Sequence, residues 1–344
     1  MSGEPIRVGI VGAGANTTAR HIPGLQAIDG VELVSVSNRS RASAEHVAQR
    51  FGISKVYDRW QELVAAPDTN AIVIGTWPNL HCPVTLAALA ANKHVLCEAR
   101  MAMTALEARA MRDVARAKPQ LAAQVVPSPY TLRVDATVQR LIADGYLGDI
   151  LAVSVRDGSS FVNPAAALHW RQDADVSGVN VLSLGIWYET LLRWIGEATR
   201  VLAMGKTFVR MRKDAEGRMR AVRVPEHVDA IADLACSAQA HLRVSSVTGL
   251  AGPPEAYLFG KEGTLRFSEN KLYGGSRDAT DLRELTIPDD QAGHWRVEEE
   301  FVNAIRGLEP VTRTTFEDGV KYMEFTEAVA RSMADGCRVS LPLA

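Results

Sequence analysis

Glu98 and Arg100 close a strand-like run, Val95 to Met101 reading VLCEARM, and a carboxylate beside a guanidinium at the carboxyl end of a buried strand is suited either to a working site or to an ion pair that braces a loop. A second chemistry lies near the amino terminus, where Gly12-Ala13-Gly14-Ala15-Asn16-Thr17 follows the apolar run IRVGIV. The first glycine permits a tight turn, and the second lets a pyrophosphate approach the backbone where a helix begins and its free amides favour anions. About 20 residues on, where an acid would hold the ribose hydroxyls of NAD, stand Asn38, Arg39 and Ser40. Arg39 could pair with a 2′-phosphate and stack on adenine, which favours NADP. Asn38 can still bond a ribose hydroxyl, so NAD remains open, and Arg39 as a solvated loop residue is the bland alternative.

Positioning such groups takes a particular succession of elements. IRVGIV, VELVSVS, AIVIGT, HVLC and LAAQVV are near-continuous aliphatic runs, as in strands buried on both faces. ANTTARHIPGLQAI, SAEHVAQRFG, CPVTLAALAANK and ALEARAMRDVARA alternate with them at helical period. This alternation implies a doubly wound parallel sheet, an N-terminal Rossmann domain over residues 1–126. Past Pro127 the pattern changes to the helix TLRVDATVQRLIADG, the run ILAVSVRDG, the helix VLSLGIWYETLLRWIG, and then successive strand-like runs from Ala198 to Ser268. Strands without intervening helices imply an α+β domain with a large, mostly antiparallel sheet over residues 127–344.

The chain's 344 residues exceed one ordinary core, which stops growing at about 250–300 residues. A net charge of −2 and 47% hydrophobic residues offer no basic surplus for nucleic acid. No run reaches the roughly 18 apolar residues of a membrane span, and a cytoplasmic location is expected. Cys82, Cys97, Cys236 and Cys337 stand apart from one another and from histidines at ligand intervals, so four buried thiols are expected, with neither a metal site nor a disulfide framework.

At the end of AIVIGT lie Thr76-Trp77-Pro78-Asn79-Leu80-His81, followed later by HVLCE, by HWRQD at His169 to Asp173, and by a tail ending DGCRVSLP. With the Gly-rich turn, in this order and spacing over nearly the whole chain, these segments resemble the Gfo/Idh/MocA oxidoreductases. The resemblance implies a Rossmann domain, a second domain whose open sheet serves dimerisation, and an active site between the two. It places Thr76, Trp77, Pro78, Asn79 and His81 along the cofactor, Glu98 and Ala99 at the family's Glu-Lys-Pro motif, and Trp170 and Arg171 among the cofactor contacts. His81 in the first turn of its helix, without facing the cofactor, is the other reading.

Two departures follow. The family's lysine is Ala99 here, followed by Arg100, and where the family shows an Asp-x-Gly-x-His-x-x-Asp helix this chain has Ser183, Gly185, Trp187 and Thr190. Asn180, Ser183, Trp187, Thr190 and Trp194 recur at spacings of three and four, so they share a helix face that offers hydroxyls and an aromatic wall but no group titrating near neutrality. Ser183, Trp187 and Thr190 are the candidate substrate-facing residues, with Trp187 either a stacking platform or a core tryptophan. Glu189 is expected to pair with Arg193 at i,i+4. His169 is the first candidate acid/base, against a structural histidine. Arg100 is a candidate for binding a substrate anion bidentately, and Tyr130, in PSPYT, for donating a hydrogen bond.

The expected function is NAD(P)-dependent oxidation or reduction at a CH–OH carbon of a sugar-like or cyclic polyol substrate. A cofactor-retaining lyase or hydrolase using transient oxidation, and a non-catalytic dinucleotide sensor, are the alternatives. The run AIADLACSAQAHLRVSSVTG reads as two paired strands whose small side chains suit a flat packed face, and a homodimer or dimer of dimers is expected.

Overall fold

The computed structural model describes residues 4–344. Its first unit is built on a six-stranded sheet of β1 (Ile6–Val11), β2 (Val31–Ser37), β3 (Lys55–Val56), β4 (Ala71–Ile74), β5 (His94–Cys97) and β6 (Ala123–Val125). The strand order is β3-β2-β1-β4-β5-β6, every pair parallel. That order reverses direction between β1 and β4, and in such sheets ligands bind at the carboxyl ends of the strands flanking the switch. The connecting helices are α1 (Ile22–Gln26), α2 (Arg41–Phe51), α3 (Trp60–Ala65), α4 (Pro78–Ala90) and α5 (Ala105–Arg116). All four residues of β4 are buried, as a strand covered on both faces requires. The helix expected over residues 15–28 is broken, with a widened π turn at Thr17–His21 leading into the short α1. Pro23 has no amide hydrogen to bond the carbonyl of Ala19, so a regular α-helical ladder cannot run through it.

The second unit carries α6 (Asp135–Ala143), β7 (Ile150–Asp157), α7 (Ala174–Ser177), α8 (Leu184–Ile195) and a run of strands: β8 (Ala198–Lys206), β9 (Met211–Lys213), β10 (Met219–Ala221), β11 (His227–Leu234), β12 (Gln239–Ser245), β13 (Glu255–Gly260), β14 (Gly263–Ser268), β15 (Lys271–Ser276) and β16 (Arg283–Leu285). β9 and β10 form a separate ribbon. The others, with β17 (Val339–Ser340), make a nine-stranded sheet in the order β16-β15-β14-β13-β7-β12-β11-β8-β17, antiparallel except where β12 meets β7. One face packs on helices: the Tyr188 ring of α8 stacks on Phe325 at 3.8 Å, and Ser332 accepts the Ala203 amide of β8. The other face leaves Leu202, Met204, Ile231 and Phe259 exposed, Met204 by 80%.

The hairpin expected from residues 230–249 is present as β11 and β12, paired from His227↔Ser245 to Asp233↔Gln239. Its alternation runs opposite to the expectation. Ala230, Ala232 and Ala240 are buried on the covered face, and the open face presents Asp229, Ile231, His241 and Arg243. Small side chains lie where helices approach closely.

The single boundary expected at residue 126 is replaced by a split in which residues 1–127 and Arg296–Val320 form one unit and residues 128–295 and 321–344 the other. The returning segment holds α9 (Val297–Ile305) and the start of α10 (Phe316–Asp335). Its backbone explains the return. Thr314 exchanges both amide hydrogen bonds with Val125 at the edge of β6, and Gln124 donates to Glu300 and to the Arg313 carbonyl. The expectation of four buried thiols also fails: Cys82 and Cys97 are buried, whereas Cys236 and Cys337 are exposed in a strand-connecting turn and a helix-to-strand turn. Burial pushes the Cys82 thiol up to about 11, so it stays protonated near neutral pH. Among the described residues no helix is long and apolar enough to cross a membrane.

Candidate functional site

The Gly-rich turn leaves β1 through Gly12, whose amide donates to the Ser37 carbonyl at 2.8 Å and whose φ is +86°. A β-carbon there would lie 2.7 Å from the Thr76 nitrogen, so the position demands glycine both for its backbone and for the space. The same crowding holds for Gly75, where a β-carbon would run into the Gly12 carbonyl and the Thr17 hydroxyl. Gly14 is different: a β-carbon would meet only the Gly75 carbonyl at 3.5 Å, and the residue is exposed. Beside this turn opens a cavity of about 650 Å³ lined by Gly12, Gly14, Asn38, Arg39, Thr76, Trp77 and Asn79 among others. The size and the bare glycine backbone fit part of a dinucleotide.

The residues after β2 serve different ends. Asn38 accepts the Ala13 amide at 2.7 Å and donates to Ser43 at 2.9 Å, so its side chain ties the Gly-rich turn to the start of α2. Ser40 caps α2 by accepting the Ser43 amide. Arg39 is exposed, its guanidinium 5.7 Å from the centre of the Trp77 ring, and both border the cavity. Asp58 lines the same cavity but accepts from Arg41 at 3.0 Å, which neutralises an acid that would otherwise repel a phosphate there. Thr17 is buried and bonds the Gly12 carbonyl, and Pro78 is buried in the first turn of α4. Ala15 and Asn16 are exposed on the turn.

Glu98 is held by groups that sequence inspection did not bring together. Its Oε1 accepts from His21 Nε2 at 3.0 Å and from the Asn16 amide, and its Oε2 accepts the Ala99 amide at 3.1 Å. His21, which is 0% exposed, donates through Nδ1 to Glu298 at 2.5 Å on the returning helix α9. Only an imidazolium can donate to two carboxylates at once. Burial alone would lower the His21 pKa, but the bonds to Glu298 and Glu98 overcome it and hold the value at about 9. Burial likewise would raise Glu98, yet His21, Asn16 and the Ala99 amide keep it below the ordinary carboxylate range. The only local hint was a histidine four residues after the Gly-rich turn; its partners lie 77 and 277 residues away.

His81 does not face the cavity. It is fully buried, with Nδ1 2.8 Å from the Arg100 carbonyl and Nε2 3.0 Å from the Thr76 carbonyl, so it clips the end of β4 to the loop after β5. Burial, ahead of these carbonyl contacts, pulls its pKa down. Arg100 is itself only 5% exposed, in contrast to the open anion-binding position expected from sequence. The Ala99–Arg100 peptide bond is cis.

In the second unit, the stripe on α8 is rearranged. Trp187 and Thr190 are 0% exposed, which corrects their assignment as substrate-facing. Thr190 lies 3.3 Å from the Ser128 hydroxyl, and Trp194 donates to Asp135 at 2.8 Å. Asn180 is buried ahead of the helix and donates to the Ser177 carbonyl. Trp187 packs between Tyr130 at 5.3 Å and Phe267 at 6.2 Å, a core indole and not a stacking platform. The exposed aromatic is Tyr130. The expectation that this face carries no titratable group is overturned by Asp157, the last residue of β7, whose Oδ2 accepts from Ser183 at 2.5 Å and from the Trp187 indole at 2.8 Å. An acid from a strand 30 residues upstream is invisible to a helix-face reading.

Glu189 pairs with Arg193 at 2.7 Å as the i,i+4 spacing implies, and it also accepts the Ser128 amide. His169 is exposed and caps the short 3-10 turn Trp170–Gln172, its Nδ1 accepting the Arg171 amide. Burial first and then the Arg171 cation lower its pKa, so the ring is neutral near pH 7 with its proton on Nε2. Arg171 stacks over the Trp170 ring at 4.1 Å.

Known proteins align with both units. The oxidoreductase family with an NAD-binding Rossmann fold matches residues 6–125, and the GFO/IDH/MocA C-terminal domain matches residues 136–266. The mouse trans-1,2-dihydrobenzene-1,2-diol dehydrogenase is 31% identical over 192 residues, 55% of this chain and 56% of that protein. The dTDP-3,4-didehydro-2,6-dideoxy-alpha-D-glucose 3-reductase of Streptomyces violaceoruber is 30% identical over 186 residues, 53% and 52% of the two chains. The chain thus matches little more than half the length of each of these relatives. In fold, a levoglucosan dehydrogenase solved with NADH and L-sorbose superimposes with a TM-score of 0.86 at 22% identity, over 98% of this chain and 99% of that one. With the parallel sheet and its Gly-rich turn matched by one family domain and the following helices and strands by the other, the chain belongs to the Gfo/Idh/MocA oxidoreductase family.

Proposed function

We propose that the protein is a nicotinamide-dependent oxidoreductase acting on a CH–OH group of a cyclic polyol or sugar-like substrate, with NADP preferred over NAD. The observation that carries this reading is the cavity beside the Gly12–Gly14 turn, bordered by Arg39 and Trp77. Relatives that act on a dihydrodiol and on a deoxysugar nucleotide support the substrate class. A bound nicotinamide dinucleotide supplies the hydride acceptor. The chain's own part begins with the glycine backbone, which admits a pyrophosphate, and with Arg39, which offers a cation to a 2′-phosphate. Glu98, fixed as a carboxylate by His21, Asn16 and Ala99, orders the loop after β5, and His81 clips that loop to the end of β4.

The test is a fluorescence titration with both dinucleotides, followed by an absorbance assay at the nicotinamide band with trans-cyclohexane-1,2-diol and levoglucosan. NADP is expected to bind more tightly than NAD. Arg39→Ala should weaken NADP by about tenfold or more, the worth of a charge-assisted contact, and leave NAD within about twofold. Equal affinities in the parent chain would refute the preference, and absence of binding by either dinucleotide would refute the function.

The open face of the nine-stranded sheet is proposed to pack on a second copy of the chain. Leu202 and Ile231 are paired across β8 and β11, and both are exposed on that face. Contiguous apolar side chains on a sheet face of this kind mark association surfaces. Light scattering should give a multiple of 37.3 kDa at micromolar concentration, and Ile231→Glu should shift the mass toward 37.3 kDa. A parent chain that is monomeric would end this proposal.

A further inference from the structure

We propose that Asp157 is the group that takes up the substrate's hydroxyl proton, with Ser183 and the Trp187 indole as the residues that position it; this rests on the oxidoreductase reading above. Asp157 ends β7, still in register with Val244 of β12, and the chain then turns sharply at Gly158 with φ +118°. A β-carbon at Gly158 would collide with the Ser245 carbonyl, so the turn cannot slide and Asp157 is placed at the strand's end by the backbone itself. Both side-chain donors converge on one oxygen, Oδ2. Among the described residues no hydrogen bond or ion pair reaches Oδ1, and the residue is half-buried, so one oxygen is anchored while the other is left to accept from a ligand.

The surroundings suit a hydroxylated ring. Tyr130, 39% exposed, packs on Trp187, whose indole nitrogen holds Asp157, so an accessible aromatic face and an anchored carboxylate belong to one cluster. A polyol presents apolar C–H faces to aromatic rings and O–H groups to carboxylates. The cluster also accounts for the buried Trp187, because an indole N–H needs a partner once buried and this one fixes the carboxylate. In the step assigned here, the carbinol C–H bond breaks with its electron pair leaving as hydride to the oxidised dinucleotide. The O–H bond breaks with its proton passing to Asp157 Oδ1, the carbonyl forms, and Asp157 then releases the proton to water.

The experiment uses the full chain. Turnover is measured with oxidised dinucleotide, and dead-end binding with reduced dinucleotide, for trans-cyclohexane-1,2-diol and levoglucosan. Asp157→Asn is expected to lower kcat by about 100-fold or more, the loss expected for a general base, while dinucleotide affinity is unchanged. Diol binding should weaken by about tenfold, because the amide keeps an acceptor but loses the charge. Asp157→Glu should recover part of kcat, and Ser183→Ala should lower kcat by about tenfold with KM nearly constant, which a merely structural role would not produce. Parental kcat in a folded, dinucleotide-binding Asp157→Asn chain overturns the proposal, as does a parent chain that binds dinucleotide but neither diol. Loss of turnover in His169→Asn with full turnover in Asp157→Asn would place the proton on the histidine instead and overturn it too. A parent chain that binds no dinucleotide is a different failure, that of the oxidoreductase reading itself.

Discussion

His21→Asn is expected to destabilise the chain by about 3–5 kcal/mol, the usual cost of leaving buried charges without their partner. The side chains of Glu98 and Glu298 are 15% and 6% exposed, so water cannot take over from the imidazolium. The same variant should flatten the alkaline side of the pH–stability curve. His21 sits at about 9 in the folded chain against an ordinary 6.5, so its contribution is fully present below about pH 6.5, declines between there and about pH 9, and is absent above it. A shift of that size corresponds to a contribution on the order of 3 kcal/mol. Glu98 acts in the opposite sense: its folded pKa is depressed, so its contribution is present above about 4.5 and is lost as pH falls through the depressed value. Urea unfolding of parent and variant from about pH 5 to 10, spanning the His21 window, measures the histidine's part. A variant whose stability still falls between pH 6.5 and 9 as steeply as the parent's would show that His21 is not the titrating group.

Arg193→Met is expected to cost a similar amount, about 3–5 kcal/mol, by stranding two carboxylates in the second unit. Arg193 reaches Asp135 at 3.1 Å and Glu189 at 2.7 Å, and the two acid side chains are 1% and 2% exposed. It also donates to the Ser128 carbonyl and the Thr131 hydroxyl, so the methionine deprives all four groups of a donor. Adding Asp135→Asn and Glu189→Gln to the variant should recover more than half of the loss, because the remaining groups are then neutral. Denaturant midpoints for the single and triple variants give the comparison, and an unchanged midpoint in Arg193→Met would mean that the cluster is solvated in solution. Dinucleotide affinity should be unaltered, since every one of these partners lies in the second unit.

Much of the architecture is legible in the sequence alone. Strands such as β4 announce themselves because burial on both faces demands an unbroken aliphatic run, and the Gly12 turn because a φ of +86° against the Thr76 backbone tolerates no β-carbon. The β11–β12 hairpin and the Glu189–Arg193 pair are legible for the same reason: strand period and i,i+4 spacing are local properties of a short stretch of chain.

What the tertiary structure decided involves partners far apart along the chain. His21, ordinary in sequence, becomes a buried cation because Glu98 and Glu298 arrive on either side of it, the latter on a segment that returns to the first unit by pairing Thr314 with Val125. The α8 face looked bare of acids because its carboxylate, Asp157, comes from β7, and Trp187 looked like a platform because spacing gives a residue's direction but not what covers it. His81 and Arg100 were placed toward a ligand for the same reason, and both are buried. The alternation of β11 was legible, but which of its faces meets the helices was not: a strand's period of two is symmetric between its sides, and only the packing of α8 and α10 put the alanines inward and Ile231 outward.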